Sequence, residues 1–131
     1  RDSSCAADRR LYEGPPLPAD QVALISRNAG ARIRVLEIDG EYVPAARYEV
    51  LPGEHRLRLY IRRINGPVEI YSVCEAVFVA EAGEQYVVSG SGEIDRIQRD
   101  LYEFRLAAWV ARADRPQDPV GGYDCDMRED S

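Results

Sequence analysis

The sequence contains no lysine, and it has a single histidine, His55. A lone imidazole excludes most acid–base and nucleophilic sites that depend on histidine, because such sites need a base beside the reacting group. Nothing in the chain has the form of a nucleophile elbow. His55 begins a strand beside a turn, so we expect its role to be structural. The sequence therefore predicts a protein that is not an enzyme, and an enzyme is kept only as a third hypothesis.

Long hydrophobic runs and clustered cysteines are also missing. No apolar run approaches the roughly 20 residues that a membrane-spanning helix needs, so we predict no membrane span. Cys5, Cys74 and Cys125 form no C-x-x-C pair and no cluster with histidine, so we predict no metal and no cofactor. The net charge of −6 disfavours nucleic acid as a partner, because phosphate binding depends on clustered positive charge.

The chain divides by composition into three segments. Residues 1–19 form a polar tether that ends in a proline-rich connector. Residues 20–113 contain short apolar runs separated by Gly, Pro and Asn turns, which predicts a β-rich domain. Residues 114–131 contain two prolines, a glycine pair and an acidic end. We expect this last segment to be an acidic tail with at most one short edge strand, at 120–123.

Alternation of apolar and polar residues marks the clearest strands. Residues 54–63 alternate almost without fault, residues 68–80 are largely apolar on both faces, and residues 102–110 alternate again. The phase slips after Val35, which predicts a bulge or twist. We expect residues 90–92 (GSG) to end a strand; the helical spacing of Ile94, Ile97 and Leu101 allows a single helical turn at 93–101, which we do not favour. Seven or eight short strands without a long helix predict an all-β sandwich.

Several short motifs carry a resemblance to a known family. Residues 51–57 (LPGEHRL) and 82–86 (AGEQY) resemble the PEGA and PEGA-like domains of bacterial envelope proteins. Residues 11–15, 22–25 and 38–40 are similar to small proteobacterial envelope lipoproteins. The resemblance implies an immunoglobulin-like or prealbumin-like antiparallel β-sandwich of about 7–8 strands. It also implies an exported protein, periplasmic or associated with the outer membrane, with or without a lipid anchor. It brings no catalytic residues.

Export would give the cysteines an oxidising environment. If the protein is exported, as the resemblance implies, one disulfide should form and one thiol should remain. Loop-closure entropy does not choose among the three pairings, because it grows slowly with loop length. We favour Cys74 with Cys125, since Cys5 lies in the tether and a covalent link would anchor the polar segment around Cys125.

Arginine is concentrated along the clearest strand, and all 17 basic residues of the chain are arginine, which we interpret as the coding bias of a GC-rich bacterial genome. One hypothesis is that the stripe binds an anionic partner, such as a phosphorylated lipid headgroup, an acidic glycan or a protein. The other is that it forms cross-strand pairs with Glu37, Glu49, Glu69 or Glu103. The predicted stripe consists of Arg56, Arg58, Arg62 and Arg63, with Arg32 and Arg34 expected on the same sheet.

Trp109 is expected to face away from Phe104 and Leu106. Its ring either offers a stacking surface for a sugar or seals the second face of the core or a strand edge. The leading hypothesis is a non-catalytic structural or interaction module of the bacterial cell envelope, whose partner is an envelope protein or an anionic glycan or lipid. The alternative is a glycan-binding or peptidoglycan-binding domain that uses Trp109 and the arginine stripe.

Overall fold

The protein is built from β-strands, as expected from its alternating sequence. The computed structural model describes residues 8–27 and 32–130, and within them its only helical element is a 3-10 turn at Ala19–Gln21. No helix in the described part of the chain is both long and apolar enough to cross a membrane. The ten strands are β1 (Asp8–Arg10), β2 (Ala23–Arg27), β3 (Ile33–Ile38), β4 (Glu41–Tyr42), β5 (Arg47–Val50), β6 (Gly53–Asn65), β7 (Val68–Ala80), β8 (Gln85–Gln98), β9 (Leu101–Arg112) and β10 (Gly121–Asp130).

The strands form two five-stranded sheets, which confirms the all-β sandwich. Sheet A has the order β1-β5-β2-β8-β9, and sheet B has the order β10-β7-β6-β3-β4. Two pairs, β1 with β5 and β2 with β8, are parallel. The sandwich is mostly antiparallel, as expected, but it has these two parallel pairs and ten strands instead of about seven or eight. Parallel pairs join segments distant in sequence, and β1 and β4 have only 3 and 2 residues, too few to show alternation.

The core lies between the two sheets. Leu57, Leu59 and Ile61 of β6 are buried, as their alternation predicts, and β7 pairs with β6 along its whole length. The phase slip in β3 is a bulge, since its pairing with β6 shifts between Val35 and Glu37. The remaining large, fully buried core side chains come from both sheets: Ile25, Ile33, Ile38, Tyr48, Val50, Ile70, Tyr86 and Val88.

Strand β8 continues through the segment that was expected to end it. Gly90 and Gly92 lie within a 14-residue strand, and residues 93–98 are strand, not a helical turn. A Cβ on Gly90 would lie 2.5 Å from Ile61 Cδ1 and 2.9 Å from the Ala107 carbonyl oxygen. A Cβ on Gly92 would lie 2.6 Å from Leu106 Cδ2. These glycines are therefore sites of close packing, not strand breakers.

The chain beyond residue 120 is a long edge strand, not the expected acidic tail. β10 pairs antiparallel with β7 over ten residues. Cys125 lies directly opposite Cys74, and the two form a disulfide with a Cα–Cα distance of 3.9 Å. The pairing favoured from the sequence is therefore the one present. The acidic composition of this segment did not predict a long strand. Backbone pairing to β7 and the disulfide hold the strand in place, so it needs no continuous apolar face.

The N-terminal boundary also differs from the expected tether. β1 pairs with β5 inside the segment 1–19, and the Tyr12 hydroxyl donates a 2.6 Å hydrogen bond to Glu49. Cys5 lies outside the described residues.

One end of the sandwich, which we call the hairpin end, contains the β6–β7 turn and the β8–β9 turn. A strand of sheet A and a strand of sheet B also approach each other there. The β6–β7 turn lies there, and Gly92 of β8 packs near Arg63 of β6, so the β8–β9 turn lies at the same end. β2 runs parallel to β8 and therefore ends there at Arg27. β3 runs antiparallel to β6 and therefore begins there. The last residues of β2 and β6 and the first of β3 are thus brought together.

Candidate functional site

Three members of the predicted arginine stripe share the outer face of sheet B. Arg56, Arg58 and Arg62 alternate along β6 with the buried leucines, and all three are exposed. Arg63 is the exception, because it has the parity of the buried Ile61 and faces the opposite sheet. Its Cβ lies 3.3 Å from the position that a Cβ on Gly92 would occupy. The stripe therefore has three members, and the prediction that Arg63 belongs to it was wrong.

Two stripe arginines form cross-strand ion pairs. Arg56 contacts Glu75 at 2.7 Å and Arg62 contacts Glu69 at 3.2 Å, both carboxylates lying on β7. Of the partners predicted from the sequence, Glu69 is found, whereas Glu75 was not foreseen. Such exposed pairs contribute at most about 1 kcal/mol each. This part of the stripe is explained by sheet structure and needs no ligand.

Four arginines line a cavity of about 410 Å³ at the hairpin end, which we call the arginine pocket. Arg27 ends β2 in sheet A, whereas the other three belong to sheet B. Arg32 precedes β3, Arg34 lies within it, and Arg62 lies opposite them near the end of β6. The Arg62 amide donates to the Arg32 carbonyl oxygen at 3.3 Å, which continues the β3–β6 ladder to the pocket. Ile33 and Tyr60 complete the lining.

Packing holds two of these guanidinium groups in place. Arg27 Nη1 donates a 3.2 Å hydrogen bond to the Ile33 carbonyl oxygen, which joins sheet A to sheet B. The Arg34 guanidinium lies over the Tyr60 ring, 5.4 Å from its centroid, in a cation–π contact. Tyr60 is itself held against Tyr71, with ring centroids 5.7 Å apart. Within the described residues, the charges of Arg27 and Arg34 are therefore positioned by these contacts and not by a carboxylate.

The arginine pocket carries excess positive charge within an acidic protein. Among the described residues, Glu69 is the one carboxylate within ion-pair distance of the four guanidinium groups, and it contacts Arg62. The chain as a whole has a net charge of −6. The four arginines thus form a local concentration of positive charge at the hairpin end. A cavity lined by like charges attracts counter-ions more strongly than the same charges spread over a surface.

A second cavity of about 280 Å³ shares Arg27 and Arg34 with the arginine pocket. We call it the flank cavity, because it lies where β2 and β5 of sheet A face β3 and the 43–46 connection. Apart from the two arginines its lining is largely apolar or aromatic: Val35, Leu36, Tyr42, Pro44, Ala45 and Tyr48. The Tyr48 hydroxyl donates a 2.6 Å hydrogen bond to the Val43 carbonyl oxygen, which fixes the wall of this cavity.

His55 has a structural position. Its Nδ1 lies 2.6 Å from Asp39 Oδ2, and its Nε2 lies 2.7 Å from the Leu51 carbonyl oxygen. The other carboxylate oxygen of Asp39 accepts a 2.9 Å hydrogen bond from the Arg56 amide. The His55 side chain therefore links the β3–β4 turn, which contains Asp39, to the β5–β6 turn, which contains Leu51. Both ring nitrogens are engaged, so neither is free to move a substrate proton.

Trp109 is buried, with 6% of its surface exposed. Its Nε1 donates a 2.9 Å hydrogen bond to the Pro116 carbonyl oxygen, and its ring lies 6.2 Å from that of Tyr123. The segment between β9 and β10 covers it, and the Val120 amide bonds back to the Val110 carbonyl oxygen at 3.0 Å. The interpretation of Trp109 as an exposed stacking surface is therefore wrong. It seals the edge of β9.

Sequence reasoning identified Arg32, Arg34 and Arg62 as neighbours on one sheet but did not foresee Arg27 as the fourth member. The signal for Arg27 was weak, because it lies at the end of a strand in the other sheet. Comparison of the chain with protein families, with curated proteins and with solved structures finds no match.

Proposed function

We propose that this protein is a non-catalytic interaction module that binds an anionic partner through the arginine pocket. The observation that carries the proposal is the convergence of four arginines on one cavity, where Glu69 is the single carboxylate in ion-pair contact with them among the described residues. Arginine suits this role, because its planar fork bonds two oxygens of a carboxylate or phosphate at once. The engagement of both nitrogens of the only histidine supports a function without acid–base catalysis.

We further propose that the module acts in the bacterial cell envelope. The support is the resemblance of residues 51–57 and 82–86 to PEGA-like domains, together with the Cys74–Cys125 disulfide, since disulfides persist in oxidising compartments. Thiol titration of the unfolded, unreduced protein purified from its native compartment tests the location. One free thiol supports export, whereas three would place the protein in a reducing compartment.

Retention on heparin, a sulfated polyanion, tests the binding surface. The wild-type protein should be retained at low salt in spite of its net negative charge, and Arg32→Glu with Arg34→Glu should abolish retention. The matched control is Arg105→Glu with Arg112→Glu, which gives the same net charge but changes exposed arginines of β9. Equal loss of retention in both double variants would show that net charge alone governs binding, and would contradict the proposal.

The position of Trp109 does not support the sugar-stacking alternative. It placed a glycan ring on Trp109, whose ring is covered by the 113–120 segment. An acidic glycan therefore enters the proposal only as one source of anionic groups for the arginine pocket.

A further inference from the structure

We propose that the arginine pocket is a binding site for a phosphate monoester, and that the flank cavity receives an apolar group attached to that phosphate. The inference rests on the proposed function and specifies its ligand. The two cavities meet at Arg27 and Arg34, which line both. A ligand with a charged head and an apolar arm would therefore occupy one continuous surface.

The number of available donors favours phosphate over carboxylate. Arg62 is engaged by Glu69, whereas Arg27, Arg32 and Arg34 have no carboxylate partner within the part of the chain that the structure describes. A carboxylate offers two oxygens, but a phosphate monoester offers three terminal oxygens and about two negative charges. Three guanidinium groups can thus each approach a separate oxygen. A carboxylate would have to share one of its two oxygens between two guanidinium groups.

Pre-positioning of the arginines lowers the cost of binding. An arginine on an open surface loses side-chain entropy when it is fixed against a ligand. Arg27 is already bonded to the Ile33 carbonyl oxygen, and Arg34 already lies over Tyr60. Both side chains keep further N–H donors for an anion, because each guanidinium carries five. Much of the ordering has therefore occurred before the ligand arrives.

The flank cavity determines what the phosphate is attached to. Val35, Leu36, Pro44 and Ala45 present apolar atoms, and Tyr42 is 72% exposed at the cavity rim. Burial of an aliphatic or aromatic arm against them is favourable in proportion to the apolar area removed from water. A sugar or other polar arm would gain little there. The expected ligand class is an amphipathic phosphate monoester.

Isothermal titration calorimetry at low salt with three probes tests the proposal. The probes are inorganic phosphate, hexyl phosphate and hexanoate. Hexyl phosphate should bind about tenfold more tightly than inorganic phosphate, because its arm enters the flank cavity. Hexanoate, which has an arm but a carboxylate head, should bind about tenfold more weakly than hexyl phosphate. Equal binding of hexanoate and hexyl phosphate would overturn the assignment of phosphate.

Variants separate the two cavities. Arg32→Gln with Arg34→Gln should weaken both phosphate probes by about tenfold or more, whereas Arg105→Gln with Arg112→Gln should leave them within about twofold. Ala45→Leu narrows the flank cavity, so it should remove the advantage of hexyl phosphate while inorganic phosphate binds as before. Unchanged affinity of the first double variant would overturn the pocket, and an undiminished advantage in Ala45→Leu would overturn the arm.

The two proposals fail in different ways. If no phosphate probe binds the wild-type protein but heparin retention still depends on Arg32 and Arg34, the phosphate site is wrong and the anionic interaction surface stands. If hexyl phosphate binds as expected but heparin retention does not depend on these arginines, the pocket binds a small phosphate and a polyanionic partner is ruled out.

Discussion

Removal of the Cys74–Cys125 disulfide should destabilise the protein severely. The cross-link spans 51 residues, and the chain-entropy relation gives about 4 kcal/mol for a loop of that length. Replacement of both cysteines by alanine adds about 1 kcal/mol, because the Cys74 side chain is fully buried. The expected loss in the free energy of unfolding is therefore about 5 kcal/mol. With a typical unfolding entropy for a chain of 131 residues, the cross-link term alone corresponds to about 15 °C.

Differential scanning calorimetry of Cys74→Ala/Cys125→Ala measures this effect, with Cys5→Ala as the matched control. The control removes a cysteine and keeps the cross-link, so its midpoint should stay near that of the wild type. Hydrogen exchange adds a local readout, since among the described strands β10 lies at the edge of sheet B and pairs with β7 alone. Its amides should lose protection first in the double variant. A midpoint within about 5 °C of the wild type would refute the loop-entropy reasoning.

Three further perturbations test the core, the tryptophan and a buried phenol. Leu59→Ala should cost about 2–5 kcal/mol in urea denaturation, because Leu59 is fully buried, whereas Leu51→Ala, at a site 42% exposed, should cost far less; equal costs would mean that Leu59 does not lie in the core. Trp109 fluorescence should resist iodide quenching until the protein unfolds, and efficient quenching of the native protein would contradict its burial. Burial raises the pKa of the Tyr48 phenol above its ordinary value of 10.0, so the stabilisation is fully present below pH 10.0 and is lost as the pH rises above it. Tyr48→Phe should show a shallower loss of unfolding free energy at alkaline pH, and an equal slope would contradict this.

Local patterns predicted those parts of the fold that local rules govern. The alternation of β6, the extent of β7 and the bulge of β3 were all predicted from the sequence. The full length of β10 was not predicted, because its ten residues are held by pairing with β7 and by the disulfide. The prediction that Gly90 and Gly92 end a strand was wrong for a related reason. Their lack of a side chain serves the opposing strand and neighbouring sheet, which the local sequence does not reveal.

The arginine pocket shows how one irregularity in a strand determines a surface. In β3, Ile33, Val35 and Ile38 all face the core, although Val35 and Ile38 are three positions apart. Regular pleating would turn one of them outward, since side chains alternate faces with a period of two. The bulge between Val35 and Glu37 absorbs the extra residue, Leu36, which lines the flank cavity.

The same bulge keeps Arg34 on the outer face opposite Tyr60 while Glu37 lies opposite Arg58. Burial of three core residues on one strand thus requires Arg34 to point outward at the end where Arg27 and Arg62 also arrive. The pocket follows from the packing requirement of β3 together with the register of β6. Packing does not determine the charge of the pocket. The core residues fix which positions face outward but not which side chains occupy those positions. Four arginines at those positions, in a protein with a net charge of −6, are therefore a feature that the packing of β3 does not require, and the proposed binding of an anion would account for it.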